Sequence, residues 1–237
     1  MNNMKKILIA VIAITSLSVN AFAGSFGFGV AGHLVNISAS GTETPGGLNT
    51  GVENSVTSAS AGNMVGFGTY FAEYNFGGEE RFTLGVEVIP GSADVSNKTL
   101  SRTDTASGDS NDTAGTKSAN AKLDGHTTYY AEFVITNGVY AKVGMAQVDL
   151  ITNDTSTSGG TDSIYGNQQL DAWTYGIGQK GTYGNGSGFY KIEAYMTDYD
   201  SVTLTGTGAS TTGTSTNSSL TADLDVVGGT VKVGYKF

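Results

Sequence analysis

Beyond residue 24, apolar side chains recur at every second position over runs of nine or more residues, and each run stops at a polar, Gly-rich stretch. A period of two marks a strand with one apolar face. The runs predict eight strands, at about 25–38, 63–76, 81–99, 121–135, 139–152, 172–183, 189–205 and 220–237, and no segment carries the period of an amphipathic helix. The connections alternate in length. Tight turns are expected at Gly77-Gly78, Asn137-Gly138 and Asn185-Gly186-Ser187-Gly188, and long segments at about 39–62, 100–120, 153–171 and 206–219. All short turns at one end and all long ones at the other is the organisation of an antiparallel up-and-down β-barrel.

The two faces of these strands differ sharply. Phe82, Leu84, Val86 and Val88 form one apolar row, Tyr129, Ala131, Phe133 and Ile135 a second, Val139, Ala141, Val143 and Met145 a third, and Tyr190, Ile192, Ala194 and Met196 a fourth. Nine charges take the other parity: Glu73, Arg81, Glu87, Glu132, Lys142, Lys180, Lys191, Glu193 and Lys232. In water such rows would turn inward; in a bilayer they turn outward. Periodicity alone does not separate the two, but the loop alternation and the aromatics favour the membrane. Tyr74, Phe76, Phe82, Tyr183, Tyr190, Tyr235 and Phe237 all fall near tight turns or the C-terminus, as one interfacial girdle would, with Trp173 at the opposite end.

A Lys or Arg facing lipid at the midplane costs about 2–4 kcal/mol, so the nine charges are expected to line the bore, where buried charges need partners. A three-residue turn at Thr136-Asn137-Gly138 sets Glu132 across from Lys142, and a four-residue loop at 185–188 sets Lys180 across from Glu193, predicting two interior ion pairs. Gln179 and Gly181 break the apolar parity of their strand, and a bulge is expected there.

The first residues read as an address. Lys5 and Lys6 precede an apolar stretch from Ile7 to Val19 that closes on Ala21-Phe22-Ala23, the pattern of a cleaved secretory signal and too short for a spanning helix. Residues 1–23 are therefore expected to be a signal peptide and 24–237 the barrel domain. Its removal takes the formal charge from −9 to −11. Such an acidic chain offers no basic patch, so nucleic acid is not an expected partner. Cysteine is absent, which excludes disulfides and thiolate metal sites.

Other chemical signals are weak. Gly27-Phe28-Gly29-Val30-Ala31-Gly32 and Gly176-Ile177-Gly178-Gln179-Lys180-Gly181 match G-x-G-x-x-G, but neither opens a helix. They read instead as inward glycines that relieve crowding in a narrow barrel. His33 and His126 are the only histidines; His126 has no serine beside it and reads as a polar residue at a strand end. Asp104, Asp109 and Asp112 miss the calcium-loop spacing. No cofactor, no metal and no enzymatic activity are expected.

The signal segment, the eight strands with four long loops and the ending Val231-Lys232-Val233-Gly234-Tyr235-Lys236-Phe237 resemble the small eight-stranded outer-membrane β-barrel proteins of Gram-negative bacteria, the OmpA/OmpX-like barrels. The alternating Val231, Val233, Tyr235 and terminal Phe237 look like that family's signal for outer-membrane insertion. The resemblance implies location in the outer membrane after passage through the periplasm, with periplasmic chaperones and the barrel-insertion machinery as transient partners. It also implies lipid and lipopolysaccharide around the barrel, both termini in the periplasm and the long loops outside; a peptidoglycan-binding domain after the barrel is not expected for this chain. The loop partner is left unspecified.

Eight strands leave a bore only wide enough for side chains or one small ligand. The expected role is therefore structural, a rigid barrel displaying exposed polar loops. The alternative is a narrow porin-like channel or a conduit for a small hydrophobic ligand, with Val65, Phe67 and Phe71 as an apolar mouth.

Overall fold

The computed structural model describes residues 24–44, 57–77, 80–94, 100–104, 115–156, 165–206 and 219–237. The expected signal peptide at 1–23, the motif residues Asp109 and Asp112, and much of the four long connections lie outside the described residues.

Eleven strand segments run β1 (Gly24–Thr44), β2 (Thr57–Phe76), β3 (Phe82–Val88), β4 (Ser92–Asp94), β5 (Leu100–Asp104), β6 (Gly115–Thr136), β7 (Val139–Ser156), β8 (Gln168–Tyr183), β9 (Gly188–Tyr199), β10 (Val202–Thr205) and β11 (Ser219–Lys236). Every pairing is antiparallel between neighbours, and β1 pairs with β11 from Gly27↔Lys236 to Thr44↔Ser219, closing the ring. Because β3, β4 and β5 all lie along β6, and β9 and β10 both lie along β11, the eleven segments make eight staves. The fold is an all-β, eight-stranded, antiparallel up-and-down barrel.

The staves are longer than the apolar alternation suggests. β1 reaches Thr44 and β6 begins at Gly115, so stretches read as loops are partly strand. Ser, Thr, Gly and Asn dominate there. Such residues hide the period of two, yet Thr is a good strand former.

The third stave is interrupted where one strand over 81–99 is expected. Pro90 has no N–H to give a ladder and Gly91 adopts φ 88°, so pairing with β2 ends at Tyr70↔Val88. Above that level, among the described residues, β4 and β5 pair with β6 and not with β2, so the seam between β2 and the third stave is interrupted there. Opposite the break, β6 carries an irregularity between Asp124 and Thr127, with Gly125 at φ 66°, and the His126 carbonyl accepts from the Ile89 N–H at 3.0 Å. The expected strand over 189–205 is likewise split, at Asp200 and Ser201.

Two turn expectations change. At Asn137-Gly138 the turn has two residues, both at positive φ, and a register shift between Val134 and Thr136 supplies the extra residue. The register below it is the expected one, with Glu132 opposite Lys142. The next turn spans Gly184 to Ser187, with Tyr183 opposite Gly188, so Lys180 faces Lys191 and Glu193 faces Gly178. The Lys180–Glu193 pair is corrected: moving the loop by one residue slides the ladder by two. The bulge expected at Gln179 and Gly181 is also absent from this ladder, which runs unbroken to Tyr183. Gly181 is bare because the Tyr190 ring lies over it; a Cβ there would stand 2.6 Å from the ring.

Candidate functional site

Polarity inverts partway along the barrel. On the turn-side half, the outward row of β11 is Val227, Val231, Val233 and Tyr235, all exposed, while Thr230 and Lys232 are buried inside. Towards the loop end the same strand turns Asp223 and Asp225 outward and buries Leu224 and Val226. β7 does the same: Val143 and Met145 face out with Lys142 inside, then Asp149 faces out with Val148 and Leu150 inside. β8 and β9 follow, with Ile177 and Ile192 exposed below and Asp171 and Asp198 exposed above. The loop-side half is thus built as a barrel in water, and the turn-side half as a barrel in oil. From Val227 to Phe237 the outward band covers about 33 Å of strand, or about 25 Å at the tilt usual for membrane barrels.

The turn-side bore is filled by an ion-pair plug. Lys191 Nζ lies 2.6 Å from both Glu73 Oε2 and Glu132 Oε2, joining β9 to β2 and β6. Lys142 pairs with Glu193 and Lys232 with Glu87. Tyr130 donates to Glu73 at 3.1 Å and Tyr140 to Glu193 at 3.0 Å. Aromatic faces complete the shells of the cations: the Tyr130 ring lies 4.8 Å from Lys232 Nζ and the Tyr195 ring 5.2 Å from Lys142 Nζ. Glu132 Oε1 is the one buried side-chain oxygen without a hydrogen bond among the described residues.

Glycines give these rings their room. Gly85 stands opposite Tyr130 and Gly178 opposite Tyr140, and a Cβ on either would fall within 2.6 Å of the facing ring or its hydroxyl. The first G-x-G-x-x-G match is explained in the same way, since a Cβ on Gly27 would meet the Phe189 ring at 3.1 Å and one on Gly29 the Phe71 ring at 2.7 Å.

Seven of the nine charges assigned to the bore are thus brought together there: Glu73, Glu87, Glu132, Lys142, Lys191, Glu193 and Lys232. Arg81 is a correction. It precedes β3 at the turn end, is exposed, and holds its guanidinium 5.9 Å from the Phe133 ring centroid, so the parity of a strand interior does not apply to it. Lys180 is half-buried at the turn-side rim and donates to the Glu80 carbonyl at 2.8 Å. The Glu132–Lys142 pair is a correction too: the residues face each other in register but bond to Lys191 and Glu193.

Glu80 and Lys236 are missed by the sequence reading. Lys236 Nζ lies 2.7 Å from both Glu80 carboxylate oxygens, and Ser25 donates to the same group at 2.8 Å, fastening the first turn to the first and last strands at the turn-side end of the barrel. Burial alone would raise the Glu80 carboxyl. The hydrogen bonds from Lys236 and Ser25, with the charges of Lys236 and Lys180, outweigh it and hold the group below the usual carboxylate range. Lys236 shares the inward parity of Lys232, which is the signal that could have found it.

Val231, Val233, Tyr235 and Phe237 all face outward, and the Phe237 ring lies 6.0 Å from that of Phe26 and 5.8 Å from that of Phe28.

Where the plug meets the apolar core, His33 is held in a polar cluster. Its Nε2 lies 2.8 Å from Glu87 Oε1 and its Nδ1 2.9 Å from the Tyr195 hydroxyl, while Phe67 stacks on the ring at 4.7 Å. Thr69 donates to Glu87 at 2.6 Å. His126 is corrected from a strand-end residue. The β6 irregularity turns it into a cavity shared with His33, and its ring stands edge-on to Tyr199 at 6.3 Å.

No protein-family model and no curated protein sequence matches the chain. Among solved structures it is similar to the outer membrane protein OprG from Pseudomonas aeruginosa, at 9% identity and a TM-score of 0.43 over 91% of this chain and 97% of that one. It is similar to the outer membrane protease OmpT from Escherichia coli, at 8% identity and a TM-score of 0.44 over 92% and 99%. A third is the outer membrane protein AlkL in lipid bilayers, at 13% identity and a TM-score of 0.41 over 93% of each chain. The expectation that the chain is not an enzyme is corrected: one of these similar structures, OmpT, is an outer membrane protease. The fold itself rests on the strand pairing above.

Proposed function

We propose that this is an outer-membrane barrel protein whose bore is shut by its ion-pair plug and whose work is done at the loop end, a rigid scaffold that presents surface-exposed polar segments. The observation that carries the reading is the inversion of polarity along single strands. β7, β8, β9 and β11 each change from apolar-out to acidic-out, so one barrel carries its own boundary between lipid and water. A sheet wholly in water has no reason to turn Ile177, Ile192 and Val231 outward while burying Lys191 and Lys232. The signal-like residues 1–23 and the outward C-terminal row ending in Phe237 support delivery through the periplasm by chaperones and the insertion machinery. Lipid and lipopolysaccharide then surround the apolar band.

The channel alternative meets the plug. Tyr140, Lys191 and Lys232 have no exposed surface, so a permeant ion would have to part buried ion pairs. The test is planar-bilayer recording on the refolded mature chain, together with surface proteolysis of intact cells. Electrical silence with cleavage only in the long connections supports the scaffold. Steady single-channel openings would overturn the closed bore, and protection of every loop from external protease would overturn the orientation.

A further inference from the structure

Between the ion-pair plug and the apolar core of the loop-side half lies a cavity of about 80 Å³. That is about half the volume of the roughly 150 Å³ cavity that holds benzene, and at about 30 Å³ per molecule in the liquid it matches two or three waters. Its walls are mostly apolar, with Val35 and Val226 among them.

The polar groups that border it fall into two sets. Some are committed: His33 is bonded at both ring nitrogens, Glu87 is taken by Lys232, and Thr174 and Thr197 bond to each other at 3.0 Å. Three are not. His126, Thr128 and Tyr199 line the cavity, and none of their side chains makes a hydrogen bond among the described residues. Among those residues only Glu132 Oε1 is both unbonded and sealed from free space. The Thr128 and Tyr199 hydroxyls therefore open onto free space although both residues are buried, and the space they line is this cavity. From the plug, Lys142 reaches the same cavity having given one hydrogen bond, to Glu193, of the three that an ammonium can donate. These groups lie within the span of a bridging water, two hydrogen bonds of about 2.8 Å end to end. The His126 and Tyr199 ring centroids are 6.3 Å apart, and Thr128 follows His126 by two residues, about 7 Å along a strand.

We propose that this cavity is a hydration site, in which two or three internal waters bridge His126, Thr128 and Tyr199 to one another and to Lys142. The irregularity of β6 that turns His126 inward is then hydrogen-bonded to the plug through water. A dry cavity would leave three polar groups inside the barrel without hydrogen bonds, which costs more than ordering the waters that satisfy them. The hydroxyls and the imidazole each offer a donor and an acceptor, so every water finds the two to four polar partners it needs. The site stands on the cavity and its unbonded groups, not on the membrane reading, and would exist in a barrel of either environment.

The test uses the full mature chain in lipid nanodiscs with ¹³C-methyl valine, and reads magnetisation passed from water to the methyl protons. Val35 and Val226 line the cavity, whereas Val148 lies in the same apolar core away from it. Transfer to Val35 and Val226 is expected to be at least about fivefold faster than to Val148, since only they touch internal water. Xenon gives the converse reading, because it enters dry apolar cavities. Under xenon pressure the wild-type Val35 and Val226 signals are expected to show no saturable shift. The triple variant His126→Leu, Thr128→Val, Tyr199→Phe removes three of the waters' partners, and is expected to lose the fast transfer and gain the saturable shift. Should that variant not fold, Thr128→Val alone, which keeps the side chain's shape, is expected to cut the transfer to Val226 about twofold. Wild-type transfer to Val35 and Val226 no faster than to Val148, or a saturable xenon shift in the wild type, would show a dry void and overturn the site. Fast transfer that survives unchanged in the variants would overturn the three groups as its anchors.

Discussion

Glu132 and Lys142 face each other across the β6–β7 ladder, yet the carboxylate is bonded to Lys191 and the ammonium to Glu193, both on β9. Inward side chains on neighbouring strands point towards the axis, where they meet residues from across the bore as readily as each other. The plug therefore ties distant staves together: β9 to β2 and β6, β7 to β9, and β3 to β11.

Lys191 is the centre of that network. Lys191→Met leaves two buried carboxylates without their cation, and the expected loss is about 3–5 kcal/mol. Lys180→Met, at the half-buried rim, is expected to cost no more than about 1 kcal/mol. Urea unfolding of the refolded protein in lipid vesicles measures both. Equal costs for the two would show that the plug is not a shared network.

The register of these charges was only partly legible in the sequence. Parity alone places Glu73, Glu87, Glu132, Lys142, Lys191, Glu193 and Lys232 in the bore, because each sits opposite an apolar row. Partners were not legible, since Lys191 and Glu73 lie 118 residues apart and meet only when the ring closes. Arg81 failed because it lies outside a strand; Lys180 keeps the inward face, opposite Lys191, but its expected partner failed because a loop shifted by one residue moves the facing residue by two. The apolar loop-side core was present in the alternation all along: Val148, Leu150, Leu224 and Val226 keep the inward parity of Lys142 and Lys232. The cavity was hidden, because a break at Pro90 and an irregularity at Gly125-His126 carry no periodic signal.

Gly178 tests the packing of the plug. A Cβ there would stand 2.5 Å from the Tyr140 hydroxyl, so Gly178→Ala is expected to cost about 1–3 kcal/mol by overpacking. In a Tyr140→Leu background the part of that cost due to the ring should vanish while the approach to the Ile192 carbonyl at 2.7 Å remains, giving a coupling of at least about 0.5 kcal/mol in a double-mutant cycle. Additive effects would mean that the ring does not occupy the glycine's space.

The Glu80–Lys236 fastening predicts a pH dependence. Burial raises the Glu80 carboxyl, but its bonds to Lys236 and Ser25 outweigh that and lower it, so the folded protein holds the ionised form more tightly than the unfolded chain does. Its contribution is therefore present above the ordinary carboxylate range and is lost as pH falls through the lowered value. Glu80→Gln should be less stable than wild type at pH 7, with the gap closing as the pH is lowered past that range. Unfolding curves at pH 7 and pH 3 provide the comparison, and a gap that widens at low pH would reverse the sign.

The barrel's inverted polarity is tested most directly by where its outward side chains reside. The chain has no native cysteine, so single cysteines at positions 177, 192 and 231, each carrying a nitroxide, report one site apiece in lipid vesicles. All three are expected to be relaxed by oxygen dissolved in the bilayer far more than by a water-soluble nickel chelate, with the preference reversed at position 225. Nickel-dominated relaxation at 177, 192 and 231 would place the apolar band in water and contradict the account.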